Sequence, residues 1–210
     1  MWRGILTACF CGMSLATMML DADDFQWEWR HSDALTSKQA LRRTKVSTAE
    51  RAAIAKAIAI QLMPDMGGMG GRTEPELEDT GLNTPVKLVD LNGDGTPEVI
   101  AQGTPEDGGC SPTGNCRFWV FQKSGVEYKP LISLEEIQSF TIQGSRLNGF
   151  NDLVVKTFVS SAESTLKLLR YNDGRYHEAG CYKADWSAGD GDRHVLKEPR
   201  LAPCGPSHQP

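Results

Sequence analysis

The sequence predicts an α+β fold in which an N-terminal helical segment packs on an antiparallel β-sheet. Three observations predict this class. Apolar side chains recur at helical spacing in residues 47–63, side chains alternate with the period of a strand in residues 86–182, and turns containing Gly, Asn or Asp separate the short runs of that second region. The chain has 210 residues, of which 40% are hydrophobic, and this is enough for one ordinary core.

Residues 1–22 are predicted to form a secretory signal peptide. One arginine precedes the uncharged run GILTACFCGMSLATMML, and acidic residues follow it, which is the order of charge and hydrophobicity in such signals. Cleavage after Ala16 and cleavage after Ala22 both fit the pattern. An uncleaved anchor is one alternative, and a lipoprotein anchored at Cys9 is another because LTAC resembles a lipobox.

Residues 23–63 are predicted to hold a short strand, FQWEWR, followed by two helices. Capping boxes place the helix starts, one formed by Thr36 with Gln39 and the other by Ser47 with Glu50. Apolar residues at intervals of four give the second helix a stripe along one face. The stripe consists of Ile54, Ile58 and Leu62. The proline at position 64 ends this helix.

The rest of the chain is predicted to form a linker, a β domain and a tail. Residues 64–85 contain glycines, prolines and a cluster of acids, which is typical of a linker or a mobile loop. Residues 86–182 contain eight short strand-like runs separated by turns, and this pattern predicts a meander of antiparallel hairpins. Residues 183–210 are polar and predict a tail that a disulfide ties to the domain.

An internal repeat divides the β domain into two halves. VDLNGDGTPEVIA (89–101) aligns with SRLNGFNDLVVKT (145–157) when two residues are dropped from the second loop. FWVFQKSGVEYKPL (118–131) aligns with LKLLRYNDGRYHEA (166–179). Each half is therefore predicted to be a run of four strands with an Asn-Gly turn. Two copies are too few for a closed propeller, which has at least about four blades.

The first of these turns carries oxygen-bearing side chains at the spacing of a calcium loop. The predicted ligands are Asp90, Asn92, Asp94 and Glu98, with the backbone carbonyl of Thr96. Gly95 supplies the sharp turn that lets alternate residues converge on one ion. The pattern argues against an EF-hand, because Ala101 occupies the place of its final bidentate acid and the flanking segments are predicted to be strands.

This loop resembles the D-x-[DN]-x-D-G-x-x-[DE] motif of FG-GAP and VCBS-type repeats, which occur in integrin-like propellers and in many exported bacterial proteins. The resemblance implies that the same side chains bind calcium and that the β domain consists of two degenerate repeats of this type. A plain hairpin turn is the alternative, because Asn-Gly and Asp-Gly are also strong turn signals. In the second copy Arg146 and Phe150 replace Asp90 and Asp94, so a similar turn is expected there without a metal.

Four cysteines remain once the signal is removed, and they allow three pairings. Local pairing predicts one disulfide between Cys110 and Cys116 and another between Cys181 and Cys204. Zinc binding is less favoured because no C-x-x-C or H-x-x-x-H spacing accompanies them. Export and disulfides support each other, since disulfides persist in oxidising compartments.

The remaining candidate sites have ordinary structural explanations. Methionines at 63, 66 and 69 could bind Cu(I), but they fit a helix end and a glycine-rich exit better. The tryptophans at 27, 29, 119 and 186 could stack on a sugar or a peptide, but aromatic residues on alternating strands are mostly core. His177 is interpreted as a half-exposed strand residue rather than a catalytic base. The sequence contains no G-x-S-x-G, no H-E-x-x-H and no glycine-rich phosphate loop.

The sequence thus favours an exported, non-catalytic binding module, periplasmic or secreted, with a structural calcium loop. Its expected partner is a protein or polysaccharide of the cell envelope. An inhibitor or immunity protein acting on a cell-wall hydrolase is one alternative, and an enzyme of unrecognised type is another. A net charge of −5 without clustered Lys and Arg excludes nucleic acid as the partner. Contact with a membrane is expected only through an uncleaved signal or a lipid anchor.

Overall fold

A computed structural model describes residues 27–28, 39–62, 73–187 and 195–205. The predicted signal peptide, most of the segment FQWEWR and the methionines at 63, 66 and 69 lie outside the described residues. Among the described residues the helices are α1 (Thr48–Leu62) and α2 (Glu74–Asn83). The strands are β1 (Gln39–Ala40), β2 (Pro85–Val89), β3 (Glu98–Gln102), β4 (Cys116–Ser124), β5 (Glu127–Ile137), β6 (Ser139–Leu147), β7 (Phe150–Phe158), β8 (Glu163–Asn172), β9 (Arg175–Ser187) and β10 (Val195–Pro203).

The strands form two antiparallel sheets. Sheet A has the order β1-β2-β3-β4-β5, and sheet B has the order β10-β9-β8-β7-β6. In each sheet, neighbouring strands are also consecutive in the sequence. Both sheets are therefore antiparallel meanders. The protein therefore has mixed α+β structure dominated by antiparallel strands, as the alternating pattern predicts.

The two sheets pack face to face, and the helices cover the far side of sheet A. The core between the sheets includes Ile100, Phe118, Val120, Phe140, Leu153, Val155 and Leu169, all nearly inaccessible to solvent. A second core lies between α1, α2 and the outer face of sheet A, where Ile54 and Ile58 of α1 share a cluster with Trp119 and Phe121 of β4. Alternation of side chains along β4 sends successive residues into the two cores, which is why this strand is apolar on both faces.

Helix α1 has the start and the buried stripe that its sequence predicts. The Ser47 hydroxyl accepts a hydrogen bond from the Glu50 backbone N–H at 3.2 Å. The stripe residues Ile54, Ile58 and Leu62 are all buried. Arg51 adds a tie to the preceding segment, because its guanidinium donates to the carbonyl oxygens of Thr44 and Val46.

The segment predicted as a linker contains α2. This helix begins after Thr73, whose backbone N–H donates to the Glu76 carboxylate at 2.7 Å, so a capping box starts it. Leu77 is buried on the side facing α1. At Gly81 a side chain would place its Cβ 2.5 Å from the carbonyl oxygen of Ala55, so the glycine permits the close approach of the two helices. The prediction was wrong because acidic residues and glycine obscured a short amphipathic helix.

Two further segments differ from the prediction. The helix expected near Thr36 is not formed by the described residues that follow it, because Gln39–Ala40 pairs with β2 as β1 and a single 3-10 turn, Leu41–Arg43, comes next. The tail expected from residue 183 onward is also different. Strand β9 continues to Ser187, and β10 pairs with it along the edge of sheet B. Proline is tolerated in β10 because an edge strand needs hydrogen bonds on one side only.

The two aligned halves of the sequence occupy corresponding strands in the two sheets. The first half supplies β2 to β5 of sheet A, and the second supplies β6 to β9 of sheet B. The aligned glycines at 125 and 174 both have positive φ in the turns that follow β4 and β8. Common descent of the halves from FG-GAP-like repeats stays a prediction.

Candidate functional site

The predicted calcium ligands lie together in the acidic loop, residues 90–97, which joins β2 to β3. Its carboxylates accept hydrogen bonds from the loop's own backbone. Asp90 accepts from the N–H groups of Gly93 (2.7 Å) and Gly95 (3.0 Å), and Asp94 accepts from that of Thr96 (2.6 Å). The bond from Thr96 lowers the pKa of Asp94, with a further contribution from the side chain of Asn92. The loop is therefore held in shape by its own acidic side chains.

Glu98 lies beneath the loop instead of facing the solvent. It is 1% exposed, and its Oε2 accepts a hydrogen bond from the backbone N–H of Leu91 at 2.8 Å. Burial raises the pKa of Glu98, and repulsion from Asp94 and Asp90 raises it further. The carboxylates of Asp90 and Asp94 thus act electrostatically on that of Glu98.

The loop does not present a ready calcium cage. Across the described residues, no three acidic, histidine or cysteine side chains converge as metal ligands. Asp90, Asn92 and Asp94 retain spare acceptor lone pairs, because each oxygen holds only one of the hydrogen bonds described. Calcium binding at this loop would have to use these remaining lone pairs. It stays a prediction.

The turn between β6 and β7 has a different chemistry from the acidic loop beside it. Asn148 and Gly149 both have positive φ there, as a tight two-residue hairpin requires. Arg146, which the alignment places opposite Asp90, reaches the acidic loop and donates from Nη1 to the Asn92 carbonyl oxygen at 3.4 Å. The two turns are also joined by a backbone bond between the Asn151 N–H and the Leu91 carbonyl oxygen (2.8 Å).

The structure joins Cys110 to Cys116 and Cys181 to Cys204, the pairing that local spacing favours. The first disulfide closes the connection from β3 to β4, and the second links β9 to the end of β10. Two disulfides indicate an oxidising, extracytoplasmic environment. Among the helices of the described residues, none is long and apolar enough to span a membrane.

The other sequence candidates separate into core and surface. Trp119 is 1% exposed in the core beneath α1, so it cannot stack on a ligand. His177 is exposed on β9 and contacts the Asn172 carbonyl oxygen at 3.2 Å and Arg175 Nε at 3.3 Å. These contacts brace the hairpin between β8 and β9. Trp29 lies outside the described residues.

The outer face of sheet B carries an open groove of about 580 Å³, which we call the outer groove. Trp27 and Glu28 line it together with Trp186 of β9 and Leu196 of β10. Val154 and Leu166 line it from β7 and β8. No helix covers this face among the described residues, in contrast to sheet A. The volume lies in the range of small-ligand sites.

Several side chains of the outer groove are fixed by hydrogen bonds and ring contacts. Trp186 donates from Nε1 to the Ser164 hydroxyl at 3.1 Å, and the Trp27 ring meets that of Tyr182 edge-on at 5.0 Å. The Gln143 side-chain oxygen accepts from the Glu28 backbone N–H at 2.9 Å. Such side chains are pre-organised, so a ligand would not have to order them.

Lys156 is the most unusual polar group in the outer groove. Its ammonium lies 4.7 Å from the centroid of the Trp186 ring, a cation–π contact. The side chain is half-buried, and burial lowers the pKa of Lys156 because the charged form loses hydration. Sequence reasoning missed this residue because an alternating strand gives no sign of which lysine will be partly desolvated.

No protein-family model matches the chain, and the comparisons with curated proteins and with solved structures also give no match.

Proposed function

We propose that this protein is an exported, non-catalytic binding module that holds a protein or polysaccharide of the cell envelope in the outer groove. The observation that carries the proposal is the groove itself. It combines a pocket-sized volume, indole rings from Trp27 and Trp186, and a wall rich in hydroxyl and amide groups. This combination is typical of recognition sites, where apolar area provides affinity and a few fixed polar groups provide orientation.

Support also comes from the hydrogen bonds that hold the wall of the outer groove in place. The hydroxyl of Ser164, the amide of Gln143 and the Glu28 carboxylate each hold a neighbouring part of the protein in place. The Glu28 Oε1 accepts from the Gly144 backbone N–H at 3.1 Å, which anchors the Trp27 segment beside strand β6. These bonds build a rigid groove wall, and rigidity serves binding because it reduces the entropy lost on association.

The test is retention of envelope material by the immobilised protein. A Thr141→Lys substitution places a long charged side chain inside the groove, whereas Val126→Lys makes the same charge change in the exposed turn between β4 and β5. We expect wild type and Val126→Lys to retain the same polysaccharide or protein, and Thr141→Lys to retain at least tenfold less at equal folded content. Equal retention by Thr141→Lys, or none by wild type, would contradict the proposal.

A second candidate, inhibition of a cell-wall hydrolase, rests on the connection between β3 and β4. The Cys110–Cys116 disulfide closes this segment, and Asp107 accepts from the backbone N–H groups of Thr104 (3.0 Å) and Gly109 (2.7 Å). A rigid exposed loop can block an enzyme cleft. Glu106→Lys in the loop should then relieve inhibition of a muramidase on purified peptidoglycan, and Glu127→Lys, at the exposed start of β5, should not.

A further inference from the structure

The outer groove has an excess of positive charge over its one carboxylate. Lys156 and Lys197 line it together with Glu28 as its acid. The Glu28 carboxylate is already engaged by the backbone N–H of Gly144. The ammonium of Lys156 has no hydrogen bond or ion pair with any of the residues that the structure describes. The ammonium lies over the ring of Trp186, which cannot accept the charge-assisted hydrogen bonds that an ammonium can donate.

A ligand carboxylate would supply what this lysine lacks. Partial burial has removed part of the ammonium's hydration, and an oxyanion at hydrogen-bond distance would replace that water with a charged acceptor. Contacts of this kind also select between ligands, because a neutral analogue leaves the partly desolvated charge without an anionic partner. The groove is therefore complementary to an anion at the place where Lys156 meets Trp186.

The remaining lining fits a saccharide better than a peptide. Ser139, Thr141 and Ser161 present hydroxyl groups to the groove, and the indole rings offer flat apolar surfaces to the C–H face of a sugar. An extended peptide commonly binds by adding a strand to a sheet edge, and of the two edges of sheet B, β10 and β6, the Trp27 segment lies beside β6. At Gly144 of that strand, the Glu28 carboxylate already takes the backbone N–H. Strand addition would have to displace this contact.

We propose that the ligand of the outer groove is an acidic oligosaccharide whose uronic-acid carboxylate pairs with Lys156 while its ring lies against Trp186. This inference rests on the proposed function and specifies the class of ligand. Lys156 selects the acid, and the hydroxyl-bearing wall receives the sugar's hydroxyl groups.

The probes are tetragalacturonate and its fully methyl-esterified form, in which an uncharged methyl ester replaces each carboxylate. They are titrated into the full chain and followed by tryptophan fluorescence. We expect the acid to bind at least tenfold more tightly than the ester. Lys156→Met keeps the apolar stem but removes the ammonium and should weaken binding of the acid about 10- to 100-fold, which is the range for loss of one charge-assisted contact. Lys156→Arg should retain most of the affinity.

Lys129→Met removes the same charge from an exposed position of sheet A and serves as the matched control, with unchanged affinity expected. Equal binding of acid and ester, abolished by Thr141→Lys, would overturn the acidic ligand and leave the proposed binding function intact. Lys156-dependent binding of a tetraglutamate peptide in place of the saccharide would overturn the saccharide class alone. Binding of neither saccharide nor peptide, together with no retention of envelope material, would overturn both proposals.

Discussion

The outer faces of the two sheets are completed in different ways. Both sheets are antiparallel meanders that share one central core, but α1 and α2 cover the outer face of sheet A with a second apolar core. The outer face of sheet B has a smaller cluster around Leu168 and Tyr182, flanked by the segment of Trp27. The outer groove lies beside this cluster.

This difference shows how one architecture can separate stability from recognition. Sheet A buries Ile58, Trp119 and Phe121 almost completely, so a substitution there acts on the fold. Sheet B keeps Lys156 and Trp186 only half-buried on its outer face, so a substitution there acts on the surface available to a ligand. The helix-covered face of sheet A supplies a rigid support, and the groove on sheet B can present side chains to a ligand.

The largest expected effect is a loss of stability in the core between α1 and sheet A. Ile58→Ala, beneath the helices, should cost about 2–5 kcal/mol of unfolding free energy through lost burial and a dry cavity. Leu166→Ala removes a side chain of the same size at the floor of the groove, where it is 2% exposed. It should cost less, because its removal deepens an open groove instead of leaving a closed cavity. Urea unfolding measures both losses, provided that the slope of the unfolding free energy against urea concentration is the same in wild type and variants. Equal losses would show that the groove floor is as closed as the helical core.

The two disulfides allow the two sheets to be tested separately, because Cys110–Cys116 belongs to sheet A and Cys181–Cys204 to sheet B. In the chain-entropy model, removing Cys181–Cys204 costs about 3.4 kcal/mol and removing Cys110–Cys116 about 2.4 kcal/mol, since the first closes the longer loop. The paired alanine variants give these losses by thermal melting. Only the Cys181–Cys204 variant should also weaken ligand binding, because that bond holds β10, which contributes Leu196 and Lys197 to the groove. Weaker binding in both variants would place the ligand elsewhere.

The smallest expected effect is a gain in stability from calcium, and it distinguishes the two Asn-Gly turns. If the acidic loop binds calcium, wild type gains stability by mass action, at most about 2.7 kcal/mol at a hundred times the dissociation constant. Asp94→Ala should gain less, and Arg146→Ala, in the neighbouring turn, should gain as much as wild type. Thermal melts in millimolar calcium and in chelator measure this. No gain in wild type would show that the loop is closed by its own hydrogen bonds alone. An equal gain in Asp94→Ala would place the ion at another site.

Much of the fold could be predicted from local patterns. The capping residues of α1, its buried stripe and the eight alternating runs of the two meanders all appear where the sequence places them. The missed α2 had a readable signal, because Thr73 and Glu76 form the same Ser/Thr-x-x-Glu pattern that marks α1. These features are decided by residues a few positions apart, which is the range over which helix caps, side-chain periodicity and hairpin turns operate.

The candidate site depended on contacts that no local pattern encodes. The sequence determined where strands, turns and neighbouring cysteines lie, because each follows from short-range spacing. Only the tertiary structure decided that Glu98 points inward beneath the acidic loop, that a proline-containing segment becomes the edge strand β10, and that Lys156 meets Trp186. Burial and desolvation are properties of the assembled layers. Residues from distant parts of the chain therefore acquire their chemistry only when the sheets pack.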